Sequence, residues 1–160
     1  MPTYANGQTR NVAPCKIRHP MILIIDDDPG IRELLTVVLR RKGFDCDIAI
    51  DGAEAEKKLR TRDYDAILLD LMLPRLNGFE IIRFLKAERS AMLERVIVVT
   101  AVAEITLRDF KDQQLIWALL RKPFDLHNLI ETVTECAANA IEQRSKEAAL
   151  RCWTPESLSA

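Results

Sequence analysis

The stretch Ala66-Ile67-Leu68-Leu69-Asp70-Leu71-Met72-Leu73-Pro74 decides the fold. Four apolar residues run unbroken into one carboxylate, the pattern of a strand buried on both faces that surfaces at its carboxyl end. Three more runs share the pattern: Met21-Ile22-Leu23-Ile24-Ile25 empties into Asp26-Asp27-Asp28-Pro29, Arg95-Val96-Ile97-Val98-Val99 ends at Thr100, and Leu115-Ile116-Trp117-Ala118-Leu119-Leu120 ends near Lys122-Pro123. Parallel strands end on one rim, so the acids, the hydroxyl and the lysine would meet in one pocket.

Between these runs the periodicity turns helical. Asp28 is a good N-cap, Pro29 suits the first helical position, and Ile31, Leu34, Leu35, Val38 and Leu39 follow at helical spacing until Gly43. Phe44, Cys46, Ile48 and Ile50 alternate as a short strand, and Asp51 to Arg62 carries Ala53, Ala55 and Leu59 on a polar helix. After the loop Pro74 to Gly78, residues Phe79, Ile81, Ile82 and Leu85 predict a third helix. Glu104 to Gln114 predicts a weak fourth, and Asp125 caps a long fifth, whose stripe is Leu126, Leu129, Ile130, Val133, Cys136, Ala137, Ala140 and Ile141. Strand and helix alternate five times, which predicts an α/β, doubly wound, five-stranded parallel sheet with helices on both faces. Residues 1–20 read as a disordered leader, 21–141 as the folded domain, and 142–160 as a helical extension and tail.

Composition narrows the function. The 160 residues allow one sizeable core, and 23 basic against 24 acidic side chains give a net charge of −1 and no basic field for nucleic acid. Cys15, Cys46, Cys136 and Cys152 lack metal-ligand spacing and read as reduced thiols, which suits the cytoplasm. The first twenty residues lack the apolar core of a secretory signal, and no segment approaches the roughly 18 apolar residues that span a bilayer.

Three carboxylates, Asp26, Asp27 and Asp70, would raise one another's pKa in a partly dehydrated cleft. A divalent cation removes that cost, and oxygen ligands with vacancies for water and phosphate favour Mg2+. Singly, each residue has a plainer reading: the acid triplet as a cap cluster before Pro29, Asp70 as a solvated strand-end acid, Lys122 as a surface cation, Thr100 as an ordinary β-branched strand end. Placed together on four strand ends they make a phosphoryl-transfer site: a carboxylate nucleophile, a cation, a hydroxyl and an ammonium.

At this point the chain resembles the receiver domain of two-component response regulators, from about Met21 to Ile141. The resemblance rests on Ile24-Ile25-Asp26-Asp27-Asp28, Leu68-Leu69-Asp70-Leu71-Met72-Leu73-Pro74, Asn77-Gly78, Val98-Val99-Thr100-Ala101 and Arg121-Lys122-Pro123-Phe124, with matching intervals. It implies a flavodoxin-like fold and a phosphoprotein rather than an enzyme. It also implies that Asp70 takes a phosphoryl group from a histidine kinase or a histidine phosphotransfer protein. Asp27, Asp70 and the backbone carbonyl of Met72 would ligate Mg2+, with Asp26 acting mostly through water. Thr100 would hydrogen-bond the phosphoryl group, and Lys122 would pair with Asp70 and then with the phosphate. Lys122-Pro123 resembles the family's cis peptide.

Two departures bear on output. Leu119 stands where the family usually has Tyr or Phe, and Gln113-Gln114-Leu115-Ile116-Trp117 replaces a small Gly-Ala step. Met72 and Val102, two positions past Asp70 and Thr100, are apolar and offer nothing to orient an attacking water. Trp117 is expected to be a buried strand residue, and His19 and His127 read as exposed rather than as relay histidines. The leading expectation is a stand-alone receiver whose phosphorylation changes the protein target it binds, with a second copy of the chain as a candidate partner, and with neither nucleic acid nor membrane insertion involved. Three alternatives remain: a phosphorylation-independent docking module, a receiver cut from a longer regulator, and an Asp-nucleophile phosphate-ester hydrolase. The last is opposed by Met72, where such enzymes carry a second acid.

Overall fold

The computed structural model describes residues 18–101 and 111–152. Most of the expected leader, Val102, most of the helix expected over Glu104–Gln114, and Trp153 lie outside them. The described elements run β1 (Met21–Ile25), α1 (Pro29–Arg41), β2 (Asp45–Ala49), α2 (Gly52–Thr61), β3 (Ala66–Leu69), α3 (Gly78–Glu88), a short α4 (Ser90–Leu93), β4 (Val96–Thr100), a 3-10 turn at Gln113–Leu115, β5 (Ala118–Arg121) and α5 (Leu126–Cys152). All strand pairs are parallel, in the order β2-β1-β3-β4-β5. The order reverses between β1 and β3, so the crevice outside their carboxyl ends is where a doubly wound sheet places its ligand.

β1, β3 and β4 are central, and their apolar runs divide by alternation between two cores. Leu23, Ile25, Ile67, Leu69, Val96 and Val98 meet Leu59, Ile81, Ile82 and Leu85 from α2 and α3. Ile22, Ile24, Ala66, Leu68, Ile97 and Val99 meet Leu35, Leu39, Leu129, Val133 and Ala137 from α1 and α5. Helix starts are fixed by side chains as well as by burial. Asp28 accepts from the amides of Gly30 and Ile31, Asp51 from Glu54, and Asn77 forms a reciprocal capping box with Glu80. Gly78 is required by proximity: a Cβ there would lie 2.5 Å from the Asp70 carbonyl oxygen and 2.6 Å from Leu71 Cα. α3 is thereby seated directly on the backbone of the Asp70 loop.

Several expectations from periodicity are corrected at the sheet edges. The run from Leu115 does not form one buried strand: Gln113–Leu115 is a 3-10 turn, and β5 is half-buried because only β4 flanks it. Trp117 is likewise half-buried, joined to β4 through its amide and the Val96 carbonyl (2.8 Å). On the other edge, Phe44 and Cys46 face α1 as expected, whereas Ile48 (41% exposed) and Ile50 (46% exposed) do not pack. α1 closes over the start of β2, where the Phe44 amide reaches the Leu39 carbonyl, and the far end of that edge strand is left to solvent. Leu34, Ala53 and Ile141 are also exposed, each at the margin of its helix's apolar stripe. α5 runs unbroken past Ile141 to Cys152, so the helical extension expected from residue 142 continues the fifth helix as far as the described residues reach.

Candidate functional site

Backbone register gathers the strand ends. Ile25 and Leu69 are partners across β1 and β3, and the Asp70 amide donates to the Ile25 carbonyl at 2.9 Å, which sets Asp26 and Asp70 side by side. Thr100 pairs with Arg121, and the Lys122 amide donates to the Thr100 carbonyl at 3.0 Å, bringing the lysine to the same rim. The Lys122–Pro123 peptide is cis, as the resemblance implied.

Asp70 is 6% exposed, and both its carboxylate oxygens are held. Oδ1 accepts from the Thr100 hydroxyl (3.1 Å) and the Met72 amide (2.9 Å), and Oδ2 accepts from Lys122 Nζ (2.8 Å). Lys122 also donates to Asp26 Oδ2 at 2.6 Å, while Asp26 Oδ1 accepts from the Asp28 amide. The single ammonium is shared between two buried carboxylates. Among the described residues, Asp26, Asp27 and Asp70 bring carboxylate oxygens within 4.8 Å of one another, with Asp27 on the exposed side. Asp28 turns away to cap α1, and the Met72 side chain is 65% exposed at the rim.

Burial is the largest influence on Asp26 and holds its carboxyl above the ordinary value, despite hydrogen bonds from Lys122 and the Asp28 amide. For Lys122 burial works against the charged form, but the hydrogen bonds to Asp26 and Asp70 outweigh it and leave the amine above its ordinary value. The rim thus carries more negative charge than one lysine neutralises. Two near-buried carboxylates and an exposed third, all oxygen donors without imidazole or thiolate, fit a hard divalent cation such as Mg2+.

All the side chains expected at the site converge there. Unforeseen were the Lys122–Asp26 pair and the Met72 amide as an Asp70 donor, since neither a shared ammonium nor a backbone bond leaves a trace in residue spacing. Leu119 packs into the α2–α3 core from β5 and has no hydroxyl to present.

A parallel five-stranded sheet with an acid–lysine–hydroxyl rim at its switch point defines the class, and the comparisons agree. The response regulator receiver domain family model matches residues 22–134, and the chain belongs to that family. Of characterised relatives, the DNA-binding response regulator MtrA of Mycolicibacterium smegmatis is 40% identical over 86 residues, covering 54% of this chain and 38% of that protein. The match thus spans well under half of the curated relative's length. Among solved structures, a sensor protein from Polaromonas sp. JS666 aligns with a TM-score of 0.68 and 34% identity over 77% of this chain and 99% of that one. Response regulator protein TrrA from Thermotoga maritima, solved in complex with Mg2+-BeF, aligns with a TM-score of 0.65 and 30% identity over 73% and 98%. Among the described residues, no helix is long and apolar enough to cross a membrane.

Proposed function

We propose that this receiver accepts a phosphoryl group on Asp70 from the phosphohistidine of a kinase or phosphotransfer protein, in the cytoplasm, and that the acyl phosphate alters the surface it offers to a protein target. A carboxylate oxygen of Asp70 attacks phosphorus, the P–N bond to the donor imidazole breaks with its electron pair leaving on nitrogen, and the product is an aspartyl phosphate. Asp26, Asp27, Asp70 and the Met72 carbonyl would hold Mg2+, which when bound neutralises oxygens on the transferring group. Lys122 releases Asp70 and pairs with the phosphoryl oxygens, and the Thr100 hydroxyl turns from Asp70 Oδ1 to the new group.

The observation that most supports this reading is the seating of Asp70, near-buried yet presented at the rim, with both oxygens aligned by Lys122, Thr100 and the Met72 amide. Binding DNA belongs to the name of the mycobacterial relative. With a net charge of −1, we assign no nucleic-acid contact to this chain itself. The test is transfer from a radiolabelled phosphohistidine donor with Mg2+ and with excess chelator. Label should pass to the receiver only with Mg2+, and equal transfer under chelation would refute the metal's part.

A further inference from the structure

At the opposite end of the sheet from Asp70, a cavity of about 600 Å3 opens between the α3–α4 junction, the start of β4 and the last turns of α5. Its volume lies in the range of small-molecule sites, roughly 300–1,000 Å3. It exists because α5 continues past the family match: Arg144, Glu147, Ala148 and Arg151 on that continuation form one wall.

Arginine dominates the lining, and the pairing is incomplete. Arg89 is tied to Asp63 and to the Leu59 and Arg60 carbonyls, and Arg144 to the buried Asp65. Glu88 is engaged by Arg60 from outside the cavity. Arg95 is 8% exposed and donates to the Tyr64 carbonyl at 3.0 Å; its unpartnered Nε is sealed from solvent, which leaves the rest of its guanidinium edge to the cavity it lines. Among the described residues no carboxylate lies within ion-pair distance of Arg95 or of Arg151, and Glu147 is the only lining acid without a cation. The lining thus holds two guanidinium groups without an acid partner against one carboxylate without a cation. Met92, Ala91 and Ala148 give the same cavity an apolar side.

An arginine pair calls for an anion with several oxygens on one centre, and the apolar wall calls for carbon beside it. We propose that this cavity binds a small organic phosphate ester, its phosphoryl group drawn to Arg95 and Arg151 and its carbon framework laid against Met92, Ala91 and Ala148. Such a ligand joins the body of the receiver to the end of α5 and fixes the direction in which that helix leaves the domain. The site is separate from the Asp70 rim and does not depend on phosphorylation.

The test is an amide NMR titration of the full chain, without Mg2+, using glucose 6-phosphate, AMP and inorganic phosphate as probes. At least one ester should shift Ala91–Met92 and Glu147–Arg151 saturably, and inorganic phosphate should bind more weakly. Arg151→Glu, on the exposed last turn, should weaken the ester about tenfold or more, the loss of one charged hydrogen bond, whereas Arg151→Lys should lose less. Ala148→Trp should block the cavity. Absence of saturable shifts up to about 10 mM, a range that still detects binding of a few kcal/mol, would overturn the proposal. So would equal binding of inorganic phosphate, indifference to Arg151→Glu and Ala148→Trp, or shifts confined to Leu71–Met72 and Thr100–Ala101.

Discussion

Replacing Lys122 with Met removes the one ammonium bonded to both near-buried carboxylates, at 2.6 Å from Asp26 and 2.8 Å from Asp70, while keeping the aliphatic stem. Removing one partner of a buried ion pair costs roughly 3–5 kcal/mol, because the other charge stays behind. The Lys122 side chain is 19% exposed, so water can enter, and the expected loss of stability without Mg2+ is about 2–3 kcal/mol. The deficit should depend on pH. Asp26 already sits above its ordinary value, chiefly through burial, and a group raised in the folded state adds stability below its unfolded pKa and loses it as pH rises through the folded pKa. The variant should therefore be weakest at neutral pH and approach the parent as Asp26 takes up its proton. Mg2+ should close the same gap, since the freed carboxylates bind it without competition from the ammonium. Urea denaturation of parent and variant at two pH values, with and without Mg2+, measures all three effects. Equal stability without Mg2+, or a deficit that neither acid nor Mg2+ narrows, would refute the shared-ammonium account.

Asp27→Ala removes the exposed member of the acid cluster, so the metal-free protein should gain about 0.5 kcal/mol while Mg2+ affinity falls; melting with and without Mg2+ reads both signs. Gly78→Ala drives a methyl to 2.5 Å from the Asp70 carbonyl oxygen, so it should cost roughly 1–3 kcal/mol by overpacking and slow phosphorylation, checked by denaturation and labelling rate. Tyr64→Phe deletes the 2.9 Å hydrogen bond to Asp47, at an expected cost of about 1 kcal/mol at neutral pH. Burial opposes the Asp47 charge but hydrogen bonds from Lys58 and Tyr64 outweigh it and hold the carboxyl below its ordinary value, so this stabilisation is present above the unfolded pKa. The difference between parent and Tyr64→Phe should shrink as pH falls through the folded Asp47 pKa, measured by denaturation across acid pH.

The sequence carries the centre of the sheet more faithfully than its margins. Ile22 to Ile25, Ala66 to Leu69 and Val96 to Val99 are apolar at every position because both faces are covered, and a chain with that composition has few other ways to bury them. β2 and β5 are flanked on one side only, and there the apolar pattern misleads: Ile48 and Ile50 stay exposed, and the run from Leu115 breaks into a turn and a short strand. The site was legible because strand ends are set by where apolar runs stop, which is a local signal. The pairing of Lys122 with Asp26 was not, because it depends on side-chain reach between segments far apart in sequence. The α5 continuation was legible as helix from its composition, but the arginine-lined cavity arises only when that helix packs beside the α3–α4 junction.

The central claim is that Asp70 is the phosphoacceptor. Intact mass and peptide mapping of the chain after incubation with acetyl phosphate and Mg2+, beside the Asp70→Asn variant, test it most directly. The parent should gain the mass of one phosphoryl group, mapped to the peptide containing Asp70, and the variant should fold and gain none. Undiminished labelling of Asp70→Asn, or a phosphoryl group mapped to another residue of the parent, would contradict it.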